Sequence, residues 1–569
     1  AKESNPTFIP VTLWPNQREA VDLAKTRFEA GAPTVLWNAK MRFGKTISAM
    51  TLIKEQQYGK VLICTHRPVV RKGWKKEYLN VFGDSDAYVF LEDEATLARE
   101  RRNVIYFASI QDLRGSSAVS GKFNKNTAVF NMDWDLVIID EAHEGTQTEL
   151  GTAVIDALTH KKKAKVLALS GTPYNILGDF PVENTYTWDY VAERKTKQAW
   201  DKTEGCANPY ASLPEMHLLT YALGEEFEGS EALVTLDNSF SFSEFFRVRK
   251  ADGRFVHEAD VKKFLALLRG ADPKSNYPFA TEEYRKALKH TLWKLPGVPE
   301  CTALKALLRQ DPLFGNFEVV NVAGEGDVDG DADNALKTVD EAIAKHEYTI
   351  TLSCGRLTTG VTVPQWTGVL MLSGGDKIAA AAYLQTIFRV QSPYTDEAGR
   401  VKESCYAFDF APDRLLTILP KMCIGKTIGA GGDKGPDEPS RAQLSQVLNF
   451  LSIIAVKGSE LRGFRVDDVF YAIKRSIAAK AIREGFADDS IYRKEMLTNA
   501  NINPEDFAEL KGIIGTLNRN EIPGAVPVSQ TGLNKTKRTK TTTRTPRVPD
   551  PEREKREKER QEREKNISI

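Results

Sequence analysis

The stretch WNAKMRFGKTISAM, Trp37 to Met50, indicates the class of fold, because it places a loop between a short strand and a helix. Val35-Leu36-Trp37 predicts a buried strand, and the segment from Ile47 onward has apolar residues at helical spacing. A loop held between these elements directs several backbone N–H groups to one point, where the helix dipole also favours an anion. The stretch therefore predicts a phosphate-binding loop in an α/β domain.

Four residues of this loop have predicted roles in holding ATP and Mg²⁺. Lys45 would reach the terminal phosphates, and the Thr46 hydroxyl would bind Mg²⁺. Gly44 stands where a side chain would collide with phosphate, and Ala39 replaces the first glycine of the strict pattern. Alanine is compatible with that position, which needs a small residue more than it needs positive φ. The relaxed pattern arises by chance in roughly one chain in twenty-five of this length, so its strand and helix context carries much of the argument.

A second strand, in WDLVIIDEAH from Trp134 to His143, ends in two carboxylates. Ligands of an open parallel sheet bind at the carboxyl ends of its strands. We therefore predict that Asp140 binds Mg²⁺ and that Glu141 polarises the attacking water in phosphoryl transfer. The alternative is that the acids only cap the following helix. His143 could equally be a surface histidine.

Seven ordered motifs resemble those of superfamily 2 helicases and translocases. Motifs I to III correspond to AKMRFGKT, DEAH and SGTP, the last at Ser170 to Pro173. Two strand-end motifs of the first motor domain correspond to CTHRPVV (Cys64 to Val70) and FASIQDLRG (Phe107 to Gly115). Motifs V and VI correspond to TLSCGRLTTGVTVPQW (Thr351 to Trp366) and YLQTIFRVQSP (Tyr383 to Pro393). The phrases YTWDYVAERK and CYAFDFAPDRLL further resemble the motor subunits of restriction and phage-defence systems.

This resemblance implies how a nucleotide would be held between two motor domains. Gln17 would read the adenine, and Gly360 of motif V would line the nucleotide site. Gln385 and Arg389 would face the nucleotide across the cleft, with Arg389 as an arginine finger on the γ-phosphate. Motif VI departs from the family pattern, because Phe388 replaces a usual glycine and Ser392 replaces the final arginine. Which arginine completes the cleft is therefore left open, with Arg356 as the alternative.

The resemblance also implies contacts that hold a nucleic-acid backbone without reading its sequence. The predicted contact residues are Thr65, Arg67, Ser109 and Gln111 in the first motor domain, and Thr358 and Thr359 in the second. The implied fold is α/β, with two RecA-like parallel-sheet motor domains, an insertion in the second and a mainly helical C-terminal extension. The expected boundaries are 1–212 and 213–425 for the motor domains, about 225–284 for the insertion, 426–520 for the extension, and 521–569 for a basic linker and charged tail.

The aromatic residues of the insertion allow two interpretations. Phe240, Phe242, Phe245 and Phe246 lie close in sequence to three basic residues, an arrangement that could stack on bases. Such a cluster is more often a small hydrophobic core with a solvated basic edge.

The composition is that of a cytoplasmic globular protein. The chain has 78 Lys and Arg and 77 Asp and Glu, so nucleic-acid affinity has to come from local patches. Its six cysteines contain no CxxC pair, which argues against a disulfide scaffold or structural zinc. No apolar run approaches the length of a membrane span, so no membrane partner is expected. No nuclease constellation is recognisable, so DNA cleavage would belong to nuclease or methyltransferase subunits or domains elsewhere.

These patterns predict an ATP-dependent DNA translocase or helicase motor that tracks on duplex DNA in a restriction or antiviral-defence system. Two alternatives share the same motifs. One is an RNA-remodelling helicase, and the other is an ATP-dependent regulatory switch that does not translocate.

Overall fold

The computed structural model describes most of the chain up to residue 411 and short pieces beyond it. The described residues are 11–66, 70–83, 86–143, 149–159, 164–172, 176, 179–200, 207–221, 223, 227, 240–270, 275–323, 329–355, 357, 362–374, 380–411, 414, 418–419, 444–445, 447–448, 452–457 and 460–463. All of them fall within one unit of mutual contacts, residues 1–499. The predicted linker and charged tail, 521–569, lies outside the described residues.

A first sheet of seven strands carries the phosphate loop. Its strands are β1 (Thr34–Ala39), β2 (Lys60–Thr65), β3 (Tyr88–Leu91), β4 (Asn103–Ser109), β5 (Leu136–Asp140), β6 (Lys165–Ser170) and β7 (Thr185–Trp188). They lie in the order β3-β4-β2-β5-β6-β1-β7, and every neighbouring pair is parallel. The central strands are continuous apolar runs because a parallel sheet is buried on both faces.

Helices cover both faces of this sheet and create two cores. One core contains side chains of α1 (Pro15–Glu29), α2 (Lys45–Glu55) and α3 (Arg71–Phe82). The other contains side chains of α4 (Glu94–Leu97), α5 (Ile110–Arg114), α6 (Thr127–Asn131) and α7 (Glu149–Thr159). The helix predicted from Ile47 begins two residues earlier, at Lys45.

A second sheet of eight strands forms the second motor domain. Its strands are β8 (Glu215–Tyr221), β9 (His290–Lys294), β10 (Glu318–Asn321), β11 (Thr349–Ser353), β12 (Gly368–Met371), β13 (Ser404–Asp409), β14 (Ser452–Lys457) and β15 (Glu460–Gly463). They lie in the order β10-β11-β9-β12-β13-β8-β14-β15, and only the β14–β15 pair is antiparallel. The predicted α/β fold with two parallel-sheet motor domains is confirmed.

The remaining described helices surround the second sheet or join it to the first. They are α8 (Tyr190–Trp200), α9 (Phe242–Phe245), α10 (Glu258–Arg269), α11 (Glu282–Ala287), α12 (Val298–Leu308), α13 (Asp329–Lys345) and α14 (Ala380–Ile387). Within the described part of the chain, none of the helices is both long enough and apolar enough to cross a membrane.

Two strands beyond residue 425 were not anticipated from the sequence. The expected helical extension, 426–520, instead contains β14 and β15. Strand β14 pairs with β8 and so lengthens the second sheet. Ile453, in β14, is buried in the core of that sheet. The second sheet therefore draws on residues far beyond the expected end of its domain.

The aromatic cluster of the insertion is a hydrophobic core. Phe240, Phe242, Phe245 and Phe246 are all buried, and they pack with other residues on one face of the second sheet. The neighbouring Arg247 pairs with Glu244. The core interpretation is confirmed, and these rings are unavailable for stacking on bases.

The described residues from α8 to β8 pack against both domains. Tyr190 lies in a core of the second sheet, and its hydroxyl accepts a hydrogen bond from Met216 N at 3.0 Å. Tyr210 lies in a core of the first sheet, and its hydroxyl donates to Asn16 Oδ1 at 2.8 Å. This segment therefore links the motor domains through side-chain packing as well as through the backbone.

Candidate nucleotide-binding site

The phosphate loop turns sharply just before α2. Gly44 precedes the helix with φ 88°, a conformation that side chains disfavour. A Cβ at Gly44 would also lie 2.4 Å from Gln17 Nε2. Glycine is therefore required here by the loop itself, in addition to any close approach of phosphate. Ala39 is buried at the end of β1, and φ is not positive there, in agreement with its predicted tolerance.

Lys45 begins α2 and turns back over the loop. Its Nζ donates to the Ala39 carbonyl at 2.7 Å. Burial lowers the pKa of Lys45, while nearby Glu141 and Asp140 oppose that effect. The positive charges of Arg42 and then of Arg389 also lower this pKa, so a cation of the second domain acts electrostatically on the lysine of the first. Lys45 thus lies among groups from motifs I, II and VI.

The two acids follow β5 as predicted. Asp140 Oδ2 accepts a hydrogen bond from Trp74 Nε1 at 3.0 Å, and Asp140 Oδ1 accepts from Glu141 N at 3.0 Å. Burial, and then repulsion by Glu141, raise the pKa of Asp140 to about 6. Glu141 has φ 50°, and in the described part of the chain its buried Oε2 has no hydrogen-bond partner. Asp140 is buried and Glu141 is partly buried. Two adjacent carboxylates favour a cation, so these residues fit Mg²⁺.

His143 is a site residue whose role the sequence left ambiguous. It is buried, and its Nδ1 lies 2.8 Å from Ser170 Oγ. Its Nε2 lies 3.2 Å from Thr172 Oγ1 and 3.1 Å from Gln385 Nε2. A single imidazole therefore joins motifs II, III and VI. The sequence indicated a role for His143 only by placing it in the same short turn as the two acids. A surface histidine could occupy that position equally well.

Motif VI brings Gln385 and Arg389 into the interdomain interface. Gln385 lies on α14, and Arg389 lies in the 3-10 turn Phe388–Gln391 that follows. Both residues are buried. Ser392 donates its hydroxyl hydrogen to the Arg389 carbonyl at 3.1 Å. The alternative arginine, Arg356, lies outside the described residues.

Gln17 holds the loop through both ends of its side-chain amide. Its Nε2 donates to the Phe43 carbonyl at 2.7 Å, and its Oε1 accepts from Trp14 N at 2.8 Å. These bonds fix the end of the phosphate loop relative to α1. Its predicted contact with adenine stays a prediction.

The start of α2 fits an anion. Thr46 lies in the first turn of the helix, where backbone N–H groups have no carbonyl partner within the helix. The helix dipole adds to their attraction for phosphate. Lys45, these N–H groups and the two acids together form a site of the composition that Mg²⁺ and ATP require.

Three of the four predicted nucleic-acid contacts of the first domain, Thr65, Ser109 and Gln111, lie near one another at the carboxyl ends of β2 and β4. Thr65 ends β2 opposite Ser109 of β4, and Thr65 also pairs with Asp140 of β5. Gln111 is exposed and donates to the His66 carbonyl at 2.6 Å, whereas Thr65 is fully buried. Ser109 caps α5 by accepting from Asp112 N at 3.0 Å. Arg67, Thr358, Thr359 and Gly360 lie outside the described residues.

This fold and these motifs define an ATP-hydrolysing enzyme of the superfamily 2 helicase and translocase class, as the resemblance implied. Residues 10–175, which contain motifs I to III, match the family described as "Type III restriction enzyme, res subunit". The chain is also 27% identical over 517 residues to a Mycoplasma pneumoniae protein provisionally named as the C-terminus of a type II restriction enzyme and methyltransferase. That alignment covers 78% of this chain and 70% of the relative.

Two solved structures are also similar to this chain. The DNA-bound ATP-dependent Type ISP restriction-modification enzyme LlaBIII aligns with 84% of the chain at 12% identity and a TM-score of 0.48. The chain spans 33% of the length of that enzyme. The Sulfolobus solfataricus SWI2/SNF2 ATPase core in complex with dsDNA aligns with 72% of the chain at 15% identity and a TM-score of 0.28, over 89% of its own length.

Proposed function

We propose that this chain is an ATP-driven motor that tracks along duplex DNA in a restriction or phage-defence system. The observation that carries the proposal is the hydrogen bond between Gln385 of motif VI and His143 of motif II, in a buried interface that also contains Arg389. Groups from both domains are then needed for hydrolysis. Opening and closing of the interface would thereby be tied to the ATP cycle.

Each residue of the site has a proposed part in hydrolysis. Lys45 and the first N–H groups of α2 bind the phosphates, and Gln17 contacts the adenine. Thr46 and Asp140 would hold Mg²⁺, which neutralises phosphate charge when bound. Glu141 orients the attacking water and withdraws its proton, since its Oε2 has no hydrogen-bond partner among the described residues. Gln385 positions the turn through His143, and Arg389 stabilises charge on the transferring phosphoryl group.

Movement would come from two backbone contacts that alternate with the ATP cycle. We assign one contact to Ser109 and Gln111, at the carboxyl edge of the first sheet beside the acids. Thr65 and Arg67 are assigned to the same contact, although the buried Thr65 would act through the backbone or after a local shift. The second contact would use Thr358 and Thr359. Such contacts would engage phosphate, so sequence preference should be weak.

DNA is proposed as the substrate because both the matching family and the Mycoplasma relative are restriction enzymes by name. The name of the relative also includes a methyltransferase. We therefore propose that nuclease or methyltransferase subunits or domains work together with this motor. The four described cysteines form no disulfide with one another. We propose that such a system acts in the reducing cytoplasm.

The proposal is tested by measuring ATP hydrolysis with duplex DNA, single-stranded DNA and RNA in parallel. Duplex DNA should stimulate hydrolysis most, and stimulation should fall steeply with salt because the contacts are electrostatic. The Lys45→Ala variant supplies the background rate. Stronger stimulation by RNA would favour an RNA-remodelling helicase. A rate unaffected by any nucleic acid would favour the non-translocating switch.

Tracking is tested separately from strand separation. A duplex tracker should displace the third strand of a triplex, fuelled by ATP. It should open a forked duplex poorly, because unwinding must also overcome stacking of about 1.4 kcal/mol per step. Efficient fork unwinding without triplex displacement would refute the translocase proposal and leave a conventional helicase.

A further inference from the structure

The bulky residues of the phosphate loop face the second motor domain. Lys40 Nζ donates to Gln391 Oε1 at 2.7 Å, across 351 positions of sequence. Met41 packs against a core of the second sheet. Arg42 Nη1 donates to Thr362 Oγ1, within motif V, at 2.6 Å. These unusually bulky side chains of the loop thus form part of the interface between the domains.

Lys40 lies in a closed network of three buried side chains. Its Nζ also donates to Glu193 Oε2 at 2.6 Å, on helix α8. Gln391 Nε2 completes the triangle by donating to Glu193 Oε1 at 3.0 Å, and it also donates to the Pro214 carbonyl at 3.3 Å. The side chains of Lys40 and Glu193 are 5% and 3% exposed, and Gln391 is 1% exposed.

Stability alone does not account for such a network. Charge burial carries a desolvation cost, and well-packed apolar residues often replace a buried ion pair without loss of stability. The aromatic rings of Tyr190 and Phe388 both lie 5.6 Å from Lys40 Nζ, so apolar packing is already available around it. The contribution of the network is to hold Gln391 at a fixed position relative to the phosphate loop.

Gln391 is two residues from Arg389 in the same 3-10 turn, Phe388–Gln391. A short turn of this kind moves nearly as a rigid unit, since consecutive backbone hydrogen bonds span it. Lys40 in turn lies five residues before Lys45. A displacement of the phosphate loop is therefore transmitted to the turn that carries Arg389.

We propose that Lys40 is a positioning residue that, through Gln391 and held by Glu193, sets the place of Arg389 over the ATP phosphates. This inference deepens the proposed function and rests on it only for the assignment of Arg389 to the phosphates. The inference also explains why Phe388 replaces the usual glycine of motif VI. The Phe388 ring packs beside Lys40 and lies 5.8 Å from the ring of Tyr190, and a glycine would remove both contacts.

The test compares three variants of the full chain by steady-state ATP hydrolysis, with and without duplex DNA, and by thermal unfolding. Lys40→Met leaves the buried Glu193 carboxylate without its cation and should lower both stability and kcat. Gln391→Leu leaves the Lys40–Glu193 pair in place but releases the turn. Lys40→Met/Glu193→Leu removes both charges, so its unfolding temperature should return toward that of the wild type.

All three variants should lose about tenfold to a hundredfold in kcat, the scale expected for a misplacement of about 1 Å. KM for ATP should change less than threefold, because the groups that bind the phosphates are untouched. Lys25→Met serves as the matched control. It also breaks a lysine–glutamate pair, with Glu55, but on the surface away from the site, so kcat should be unchanged.

The proposal is overturned if Lys40→Met/Glu193→Leu recovers wild-type kcat together with stability, since Lys40 would then be purely structural. Wild-type kcat in Gln391→Leu would overturn it too. A wild-type enzyme that hydrolyses ATP without any response to DNA would refute the proposed motor. The comparison of kcat among the three variants would still decide the role of Lys40.

Discussion

His143 Nε2 lies 3.1 Å from Gln385 Nε2, so the acidic motif of the first motor domain is hydrogen-bonded to motif VI of the second. The glutamine amide nitrogen can only donate, so the histidine Nε2 accepts and the ring hydrogen lies on Nδ1. That nitrogen is 2.8 Å from Ser170 Oγ and 3.5 Å from Glu141 Oε2. The position of the second domain is thereby linked to the carboxylate that is proposed to act on water.

This link predicts that His143 and Gln385 act as one unit in hydrolysis. His143→Ala and Gln385→Ala should each lower kcat, and the double variant should be no slower than the slower single variant. A coupling energy within about 0.5–3 kcal/mol is expected for residues in one hydrogen-bond network. His346→Ala, which changes an exposed histidine after α13, is the control and should leave kcat unchanged. Strict additivity of the two losses would contradict the link.

Lys45→Ala and Glu141→Gln should separate ATP binding from chemistry. Lys45 is placed to hold phosphate, so its loss should weaken ATP binding. Glu141→Gln keeps the shape of the side chain but removes the base, so ATP should still bind while turnover falls by at least about a hundredfold. Equilibrium binding of a fluorescent ATP analogue, measured beside single-turnover hydrolysis, checks both effects. Near-wild-type hydrolysis in both variants would remove the assignment.

Arg389→Ala should lower turnover by about a thousandfold or more, as expected for an arginine finger. The physical reason is loss of a buried positive charge where negative charge develops on the phosphoryl group. Arg400→Ala is the matched control, because Arg400 is 78% exposed and pairs only with Asp396 among the described acids. A loss of tenfold or less in single-turnover hydrolysis by Arg389→Ala would show that another arginine, such as Arg356, completes the cleft.

Gly44→Ala should damage the nucleotide site more than Gly31→Ala. Both glycines have φ near 90°, so each substitution should cost about 1–2 kcal/mol of folding stability from the backbone alone. At Gly31 the new Cβ meets nothing within 4 Å, whereas at Gly44 it meets Gln17 Nε2. Denaturant unfolding should therefore show a similar loss of stability in both variants. Equilibrium binding should show weaker ATP affinity only in Gly44→Ala. Equal ATP affinity in the two variants would contradict the role of the Gln17 contact.

Much of the fold and of the candidate site was predictable because its signals are local. The apolar run before Asp140 predicts a buried strand, and the acids follow it directly. The phosphate loop was predictable for the same reason, since strand, loop and helix are consecutive in sequence. In a parallel sheet, the carboxyl ends of all strands meet at one edge. Ser109 and Asp140 lie at that edge, on the two strands that flank β2.

Other features depended on contacts between distant parts of the chain. The burial of Thr65 and the addition of β14 to β8 result from the packing of whole elements, for which a short motif contains no signal. His143 was ambiguous because the same residue in the same turn could face solvent or the partner domain. Only the packing of the two domains places Gln385 beside it.

The class of this enzyme was predictable from sequence because the order of its motifs resembles that of superfamily 2 motors, and because Lys45, Asp140 and Glu141 lie on single strands and turns. The way in which the two motor domains are joined depends on the folded structure. Lys40, Glu193 and Gln391 are each ordinary polar residues in sequence, and they form a buried triangle only because three separate elements converge. Hydrogen bonds act over about 3 Å, so a contact between residues 351 positions apart exists only once the chain has folded.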